Sequence, residues 1–237
     1  MGDKIEKEAA YKSIGNFFLA VDQDEEAVLF FNLALSIAKE LEDKHGQGLA
    51  YSSLGSALHG LKDFKKAIDF YSLHLSIAKE LKDKWGQGAT LGNLGNVFFD
   101  LGDFEKAKDY HSQRLNIAKE VGDKNEEGGA YWALGNNFES QGLLPEALVN
   151  YQSSVKVLND VRNLLESKDE WKIGFRSVCN PSYISLWRVL LKQGKTVEAL
   201  LAAEGGQAQA LRDLMRSHYL FQASQSGSRL LARRKGC

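Results

Sequence analysis

The chain contains 237 residues, of which 43% are hydrophobic and 26% are charged, a balance that predicts a globular protein with a substantial core. Its 30 basic and 31 acidic side chains leave a formal net charge of -1, which argues against nucleic acid or an anionic membrane as the main partner. Two cysteines cannot form a disulfide framework, and neither a secretory signal nor a membrane-spanning segment is evident, so we expect a cytoplasmic protein.

A period of 40 residues runs from the start of the sequence to about residue 155. Three sets of residues recur at this spacing: glycines (Gly15, Gly55, Gly95 and Gly135), alanines (Ala27, Ala67, Ala107 and Ala147) and aliphatic residues (Ile14, Leu54, Leu94 and Leu134). A fixed period of this length is typical of repeat architectures. Because small residues let backbones approach one another, we expect the glycines and alanines at close contacts between paired helices.

Each repeat is predicted to form two helices joined by a short turn, since apolar residues recur at helical spacing in both halves. In the third repeat, we expect Gly102 to close the first helix in a left-handed conformation and Asp103 to cap the second. In the fourth, Pro145 suits the first turn of a helix, where its missing N–H costs nothing. Glu and Lys recur four residues apart at 40–44, 80–84 and 120–124, and we interpret these pairs as helix-stabilising, solvated outer surface.

The spacing changes beyond residue 155, because the step from Gly194 to Ala199 repeats an earlier one later than the period predicts. We therefore expect an added helical stretch around 171–178, and a new helix over 183–192 that Asn180 and Pro181 open. This divides the chain into four repeats over 1–165, a divergent fifth with an inserted helix over 166–216, and a disordered tail over 217–237.

The motif Tyr131-x-x-Leu134-Gly135-x-x-Phe138, followed by Ala147-x-x-x-Tyr151, resembles the signature of the tetratricopeptide repeat (TPR), and the other three units fit it nearly as well. The resemblance implies an all-α fold, a right-handed superhelix (α-solenoid) of helix-turn-helix repeats. Each unit is about six residues longer than the usual TPR. The run from Leu186 to Met215 is similar to the last, divergent repeat of animal proteins in which a TPR array precedes a caspase-like CHAT domain.

We find no predicted active site in the sequence. The five histidines are scattered, and none has the spacing of a metal site or a catalytic triad. Cys179 lacks a nucleophile signature, and the glycine pairs near 46–48, 86–88 and 128–129 follow helices rather than strands, so they are not phosphate loops. We therefore expect a non-enzymatic protein with no cofactor and no metal.

A candidate binding surface follows from the resemblance, because the first helix of each TPR lines a concave groove. The residue after each recurring glycine should face that groove, and it is Asn or Ser in every repeat. An amide side chain donates and accepts at once, so such a row can hold an extended peptide backbone. TPR arrays of spindle-orientation adaptors, which this chain resembles, use the same position for an extended partner. The residues expected in the groove are Lys12, Asn16, Ser52, Ser56, His59, Asn96, Phe99, Trp132, Asn136 and Glu139.

Within this set, we expect Asn96 and Asn136 to hold the backbone of the partner, and Phe99 and Trp132 to make apolar contacts. Burial of Trp132 against the fifth repeat is the alternative for that residue. A clamp for chaperone carboxyl termini is not expected, because Ser53, Ala89 and Asn93 depart from its residue pattern.

The sequence therefore predicts an interaction scaffold that binds an extended or helical segment of a protein partner, and no nucleic acid or membrane. Two alternatives stay open. The array could be the regulatory or sensor part of a CHAT-protease-like protein that lacks its effector domain, or it could assemble into a homo-oligomer through an uncapped end.

Overall fold

The computed structural model describes residues 2–164 and 169–203, and it describes side chains over 2–161 and 181–203. These residues form α-helices joined by short turns, with no strand among them. The helices are α1 (Gly2–Ala20), α2 (Asp24–Glu40), α3 (Lys44–Gly60), α4 (Phe64–Glu80), α5 (Lys84–Asp100), α6 (Phe104–Val121), α7 (Lys124–Ser140), α8 (Leu144–Leu164) and α9 (Asp169–Lys192). Residues 196–203 are also helical. The predicted all-α fold of helix pairs is confirmed.

The 40-residue repeat consists of two halves of equal length, because α2, α3, α4 and α5 each contain 17 residues and a three-residue turn follows each of them. One turn residue in each half adopts a left-handed φ, and these residues are Asp22, Glu42, Lys62, Lys82, Gly102, Gly122 and Gly142. The turn after α3 is typical, since Asp63 N–H donates to the carbonyl of Leu58 at 2.9 Å and so closes the helix end. The predicted roles of Gly102 and Asp103 are confirmed, and Asp103 Oδ1 accepts from the N–H of Lys106 at 3.2 Å.

By its contacts the chain forms two units, Met1–Ala130 and Tyr131–Cys237. In the first unit, α1 to α6 pack consecutively, and α3 also contacts both α1 and α5. The recurring glycines make room for a ring from the second helix of their own repeat: a Cβ added at Gly15 would lie 2.6 Å from the ring of Phe31. A Cβ added at Gly55 would lie 2.6 Å from the ring of Tyr71, and one added at Gly95 would lie 2.4 Å from the ring of His111. The predicted close approach is present, and it accommodates a ring rather than a second backbone.

The recurring Glu and Lys pairs do not act within one helix, which corrects our interpretation of their spacing. Each glutamate is the last or second-last residue of one helix and the lysine four residues later begins the next, so a turn separates the two. Lys124 bonds Glu127 within α7, whereas Lys44 and Lys84, like Lys4, pair with the glutamate 36 residues further along, on the partner helix of their own repeat. These ion pairs join Lys4 to Glu40 at 2.9 Å, Lys44 to Glu80 at 3.1 Å and Lys84 to Glu120 at 3.1 Å. They are exposed, and each contributes at most about 1 kcal/mol to stability.

The second unit has its own core, formed by Ala147, Leu148, Tyr151, Leu186, Val189, Leu190 and Ala199. Gly135 there accommodates Tyr151 as the other glycines accommodate their rings, with an added Cβ 2.5 Å from the ring. Pro145 lies in the first turn of α8, as predicted. Gly194 has a φ of 73° and Ala199 is buried, which confirms that this step repeats the turn geometry of the earlier repeats.

The prediction of a separate helix over 183–192, opened by Asn180 and Pro181, is wrong, because α9 starts at Asp169 and continues through Pro181 to Lys192. Proline inside a helix removes one backbone hydrogen bond. Packing on α8 offsets that loss: Ser182 and Ser185 are buried, and the hydroxyls of Ser154 and Ser182 lie 2.8 Å apart. The predicted separate stretch at 171–178 is thus part of α9. The predictions for 204–216 and for the tail at 217–237 lie outside the described residues.

Candidate functional site

The position after each recurring glycine, which we call the polar row, is occupied by Asn16, Ser56, Asn96 and Asn136. In the first unit, Ser56 is tied to its own repeat. Its hydroxyl lies 3.1 Å from Tyr71 Oη and donates to the carbonyl of Ser52 at 3.2 Å. Asn16 and Asn96 are exposed, and their side chains make no hydrogen bond within the described residues. The first unit therefore presents two amide groups with free donors and acceptors.

The difference between tied and free members of the polar row follows from the ring 15 residues further on. Tyr71 and Tyr151 carry a hydroxyl that reaches the row, whereas the corresponding residues for Asn16 and Asn96 are Phe31 and His111. Phenylalanine has no hydrogen-bonding group. His111 is almost fully buried, and its Nδ1 has no hydrogen-bond partner within the described residues. Burial, reinforced by the charge of Arg114, lowers the pKa of His111 to about 4, so its ring is neutral at physiological pH.

In the second unit, Asn136 and Glu139 belong to a hydrogen-bond network around Tyr151. The hydroxyl of Tyr151 lies 2.7 Å from Asn136 Oδ1 and 2.8 Å from Glu139 Oε2. Glu139 also accepts from Arg188 Nη2 at 2.8 Å and from Lys192 Nζ at 2.7 Å. Burial opposes ionisation of Glu139, but the hydrogen bonds from Arg188, Lys192 and Tyr151 hold its pKa below the usual value. The charge of Glu139 is thus already neutralised within the fold.

Trp132 packs partly buried against the core of the second unit, and its Nε1 donates to Ser185 Oγ at 3.2 Å. Ser185 is 3% exposed and Trp132 is partly buried, so both side chains of this bond are largely shielded from solvent. This arrangement corresponds to the alternative considered for Trp132, which is burial against the helix that follows the fourth repeat.

The remaining groove candidates lie in the first unit, and most of them also have a partner there. His59 Nε2 lies 2.6 Å from Asp100 Oδ2, which joins α3 to α5, and its ring is 5.8 Å from that of Phe64. Phe99 makes an edge-on contact with Phe104, with 5.7 Å between ring centroids. Lys12 lies 3.0 Å from Glu8, whose carboxylate is buried. Ser52 is partly buried and supplies the carbonyl that Ser56 bonds.

Sequence reasoning missed a cavity of about 380 Å³ in the first unit, which Ser52 lines together with residues of α4, α5 and α6. Its lining residues lie between Leu49 and Glu126 in the sequence, on the helices from α3 to α7, so no local motif identifies it. The available signal was the run of small residues at the start of α5, where larger residues would have filled the space.

Within residues 2–164 and 169–203, no cluster of three or more His, Cys, Asp or Glu side chains could hold a metal ion. In the same part of the chain, no helix is both long and apolar enough to cross a membrane.

Solved structures of several repeat proteins resemble this chain in fold. BtubC (BKLC) from P. vanneervenii matches with a TM-score of 0.71 at 21% identity, covering 91% of this chain and 84% of its own. The TPR-like repeats of a putative kinesin light chain from Podosopora anserina match with a TM-score of 0.64 at 14% identity, covering 84% and 93%. The Rap conjugation gene regulator of the plasmid pLS20, solved in complex with the Phr* peptide, matches with a TM-score of 0.65 at 17% identity, covering 89% and 55%.

A search of curated proteins found no match. The family model described as tetratricopeptide repeat, in contrast, matches residues 6–80 and 86–160, which is more than half of the chain. The helix pairs, the ring-accommodating glycines and the left-handed turns described above are the structural counterpart of that match. The chain belongs to the tetratricopeptide repeat family.

Proposed function

We propose that this chain is a protein-interaction module that holds an extended or helical segment of a partner protein along the exposed face of α1, α3 and α5. The observation that carries the proposal is the pair of free amides in the polar row, Asn16 and Asn96. Each offers one acceptor and two donors to a peptide backbone, which is the chemistry needed to hold a chain without reading its side chains.

The structure changes which residues of the polar row we assign to this role. Asn136, which the sequence pattern favoured, already accepts from Tyr151, and Ser56 is bonded to Tyr71. A bound segment would have to displace those bonds, whereas Asn16 and Asn96 need only release water. We therefore assign the main backbone contacts to Asn16 and Asn96, with His59 and Phe99 as neighbouring side chains.

Two further observations support this proposal. The helices α1, α3 and α5 contact one another in sequence, so the row lies on neighbouring elements of one unit. A protein of the same fold, the Rap regulator of plasmid pLS20, was solved with a peptide bound, so the fold is compatible with this use. Binding of such segments is often weak, because ordering the ligand offsets much of the contact free energy.

The test compares the native chain with the Asn16→Ala, Asn96→Ala double variant. Proteins captured from cytosol by the native chain are identified by mass spectrometry, and the affinity of the captured partner's segment is then measured by calorimetry. We expect the double variant to bind roughly tenfold more weakly, because two hydrogen bonds at a solvent-accessible site are lost.

The matched control is Asn116→Ala, which removes an exposed helical asparagine from α6, outside the polar row. The proposal predicts native affinity for this variant. Equal affinity of the double variant and the native chain, or an equal loss in the control, would show that the segment binds elsewhere.

Self-association is the second candidate, and a specific feature of α1 favours it. Ile14 and Phe17 are 38% and 62% exposed, although the residues at the same positions of α3, Leu54 and Ala57, are fully buried. A second copy could cover this apolar face of α1. Light scattering at several protein concentrations separates the two candidates, since a monomeric adaptor keeps a constant mass.

A further inference from the structure

The cavity in the first unit has walls of apolar side chains. Leu49 of α3, Ala89 of α5, and Ile117 and Val121 of α6 line it, and Trp85 stands at its edge with 61% of its surface exposed. Its volume of about 380 Å³ lies at the lower end of the range of ligand sites. A space of this size and lining suits one large apolar side chain.

The polar end of the cavity is formed by Arg114 and Glu126. Both Nε and Nη2 of Arg114 donate to the same oxygen, Glu126 Oε2, at 2.9 and 2.7 Å. Among the residues that the structure describes, Arg114 Nη1 and Glu126 Oε1 have no hydrogen-bond partner. Each of the two side chains therefore keeps one polar group, a donor on Arg114 and an acceptor on Glu126, that a C=O or N–H group of a peptide backbone can bond.

Glycines keep Arg114 in this position. A Cβ added at Gly92 would lie 3.1 Å from Arg114 Cδ, and one added at Gly129 would lie 3.2 Å from Arg114 Nη2. Larger residues at these two positions would push the guanidinium group aside. The guanidinium group is therefore held in contact with both glycines, at the polar end of the cavity.

The charges around the cavity exclude an anionic ligand and favour a cationic one. Three carboxylates line it, from Asp83, Asp123 and Glu126, against the two cations Lys84 and Arg114. Both cations are already paired, Lys84 with Glu120 and Arg114 with Glu126. Asp83 and Asp123 accept only backbone N–H groups and form no ion pair within the described part of the chain. Two carboxylates at the opening are thus available to a cation.

We infer that this cavity binds an apolar side chain of a partner segment, with a Lys or Arg beside it, and that Arg114 and Glu126 hold the adjoining peptide group. This rests on the proposed function, since it assigns side-chain specificity to the same segment. Ala89 lies about two helical turns before Asn96 on α5, and Ser52 lies one turn before Ser56 on α3. The cavity therefore adjoins the polar row.

The test begins with a selection of random dodecapeptides displayed on phage against the full chain. Peptides that are enriched are synthesised, and their affinities are measured by calorimetry for the native chain and for Ala89→Trp, which fills the cavity from an exposed position of α5. The matched control is Ala9→Trp, at the same position of α1, which is exposed but does not line the cavity. Circular dichroism and thermal unfolding establish that both variants fold.

We expect enriched peptides to carry an aliphatic or aromatic residue next to Lys or Arg. Ala89→Trp should weaken their binding by roughly tenfold or more, because the buried side chain is excluded, whereas Ala9→Trp should not. A second variant, Asp83→Asn with Asp123→Asn, keeps both helix caps while removing the charges, and it should weaken binding roughly twofold to fivefold for each charge.

The outcomes separate this inference from the proposed function. Some peptides could bind the Asn16→Ala, Asn96→Ala double variant more weakly and Ala89→Trp with native affinity. That result would support the polar row as a binding surface and contradict the assignment of the cavity as a side-chain site. Peptides without the apolar and basic pair would also overturn it. A selection that yields no peptide, or peptides that none of these variants affects, would contradict both.

Discussion

At the scale of single residues, the turns show how a regular repeat tolerates backbone strain. Asp22, Glu42, Lys62 and Lys82 adopt left-handed φ values between 54° and 60°, at positions where later turns have glycine. A side chain with a Cβ costs about 1–2 kcal/mol in this conformation. The early turns therefore sustain a strain that Gly102, Gly122 and Gly142 avoid.

Replacing Lys82 by glycine should stabilise the chain by about 0.5–1 kcal/mol, because relief of the strain exceeds the added entropy of the unfolded state. The opposite sign is expected for Lys79→Gly, which places glycine inside the last turn of α4 and should cost about 0.5–1 kcal/mol. Urea denaturation measures both. Destabilisation by Lys82→Gly would contradict this prediction. It would mean that the turn is not strained, or that a contact of the Lys82 side chain stabilises the fold by more than the strain costs.

At the scale of the helix pair, the contact between glycine and ring is the common element, and the third repeat is the exception to it. His111 occupies the place of Tyr71 and Tyr151, whose hydroxyls bond the polar row. The Nδ1 atom of His111, in contrast, is buried and has no hydrogen-bond partner among the described residues. His74, another buried histidine, has a partner, since its Nδ1 lies 2.7 Å from Thr90 Oγ1. The third repeat thus has a buried imidazole that binds a proton less readily in the fold than in the unfolded chain.

This predicts a pH dependence of stability. The pKa of His111 is about 4 in the fold, against 6.5 for the unfolded value, so the unfolded state binds more protons between these values. Stability from this group is fully present above pH 6.5. It should fall as the pH drops towards 4, by up to roughly 3 kcal/mol in the free energy of unfolding.

The measurement compares native chain, His111→Tyr and His111→Phe by urea denaturation at several pH values. The two variants copy the ring of another repeat, and both should lose this part of the pH dependence. In addition, His111→Tyr should bond Asn96 as Tyr151 bonds Asn136, which would make the amide unavailable and weaken partner binding. Identical pH profiles in all three proteins would exclude His111 as the source.

At the scale of the whole molecule, the sequence predicted the architecture well because every repeat supplies the same information again. The period, the helix pairs, the glycine contacts and the turn at Gly102 all depend on local spacing. The placement of Pro181 could not be predicted this way, because packing of α9 on α8 outweighs the local preference of proline.

The candidate site was less predictable, since it depends on residues that are distant in sequence. Whether Asn16 and Asn96 are free is decided by Phe31 and His111, in the next helix. That pairing at a spacing of 15 residues is visible in the sequence once the helix packing is known. The cavity needs residues from several helices together, and its volume depends on how closely those helices pack.

An array of repeats also predicts that residues at the same position of different repeats contribute differently to stability where their contacts with neighbours differ, because stability is a sum of repeats and the contacts between neighbours. Leu54 and Leu94 are 0% and 1% exposed, whereas Ile14 at the same position of α1 is 38% exposed. Leu54→Ala and Leu94→Ala should each cost about 2–5 kcal/mol, since each leaves a cavity between well-packed helices. Ile14→Ala should cost only about 1 kcal/mol, because much of its side chain gains nothing from folding. Urea denaturation of the three variants measures the difference, and equal costs at all three positions would show that the face of α1 is covered in solution, as self-association requires.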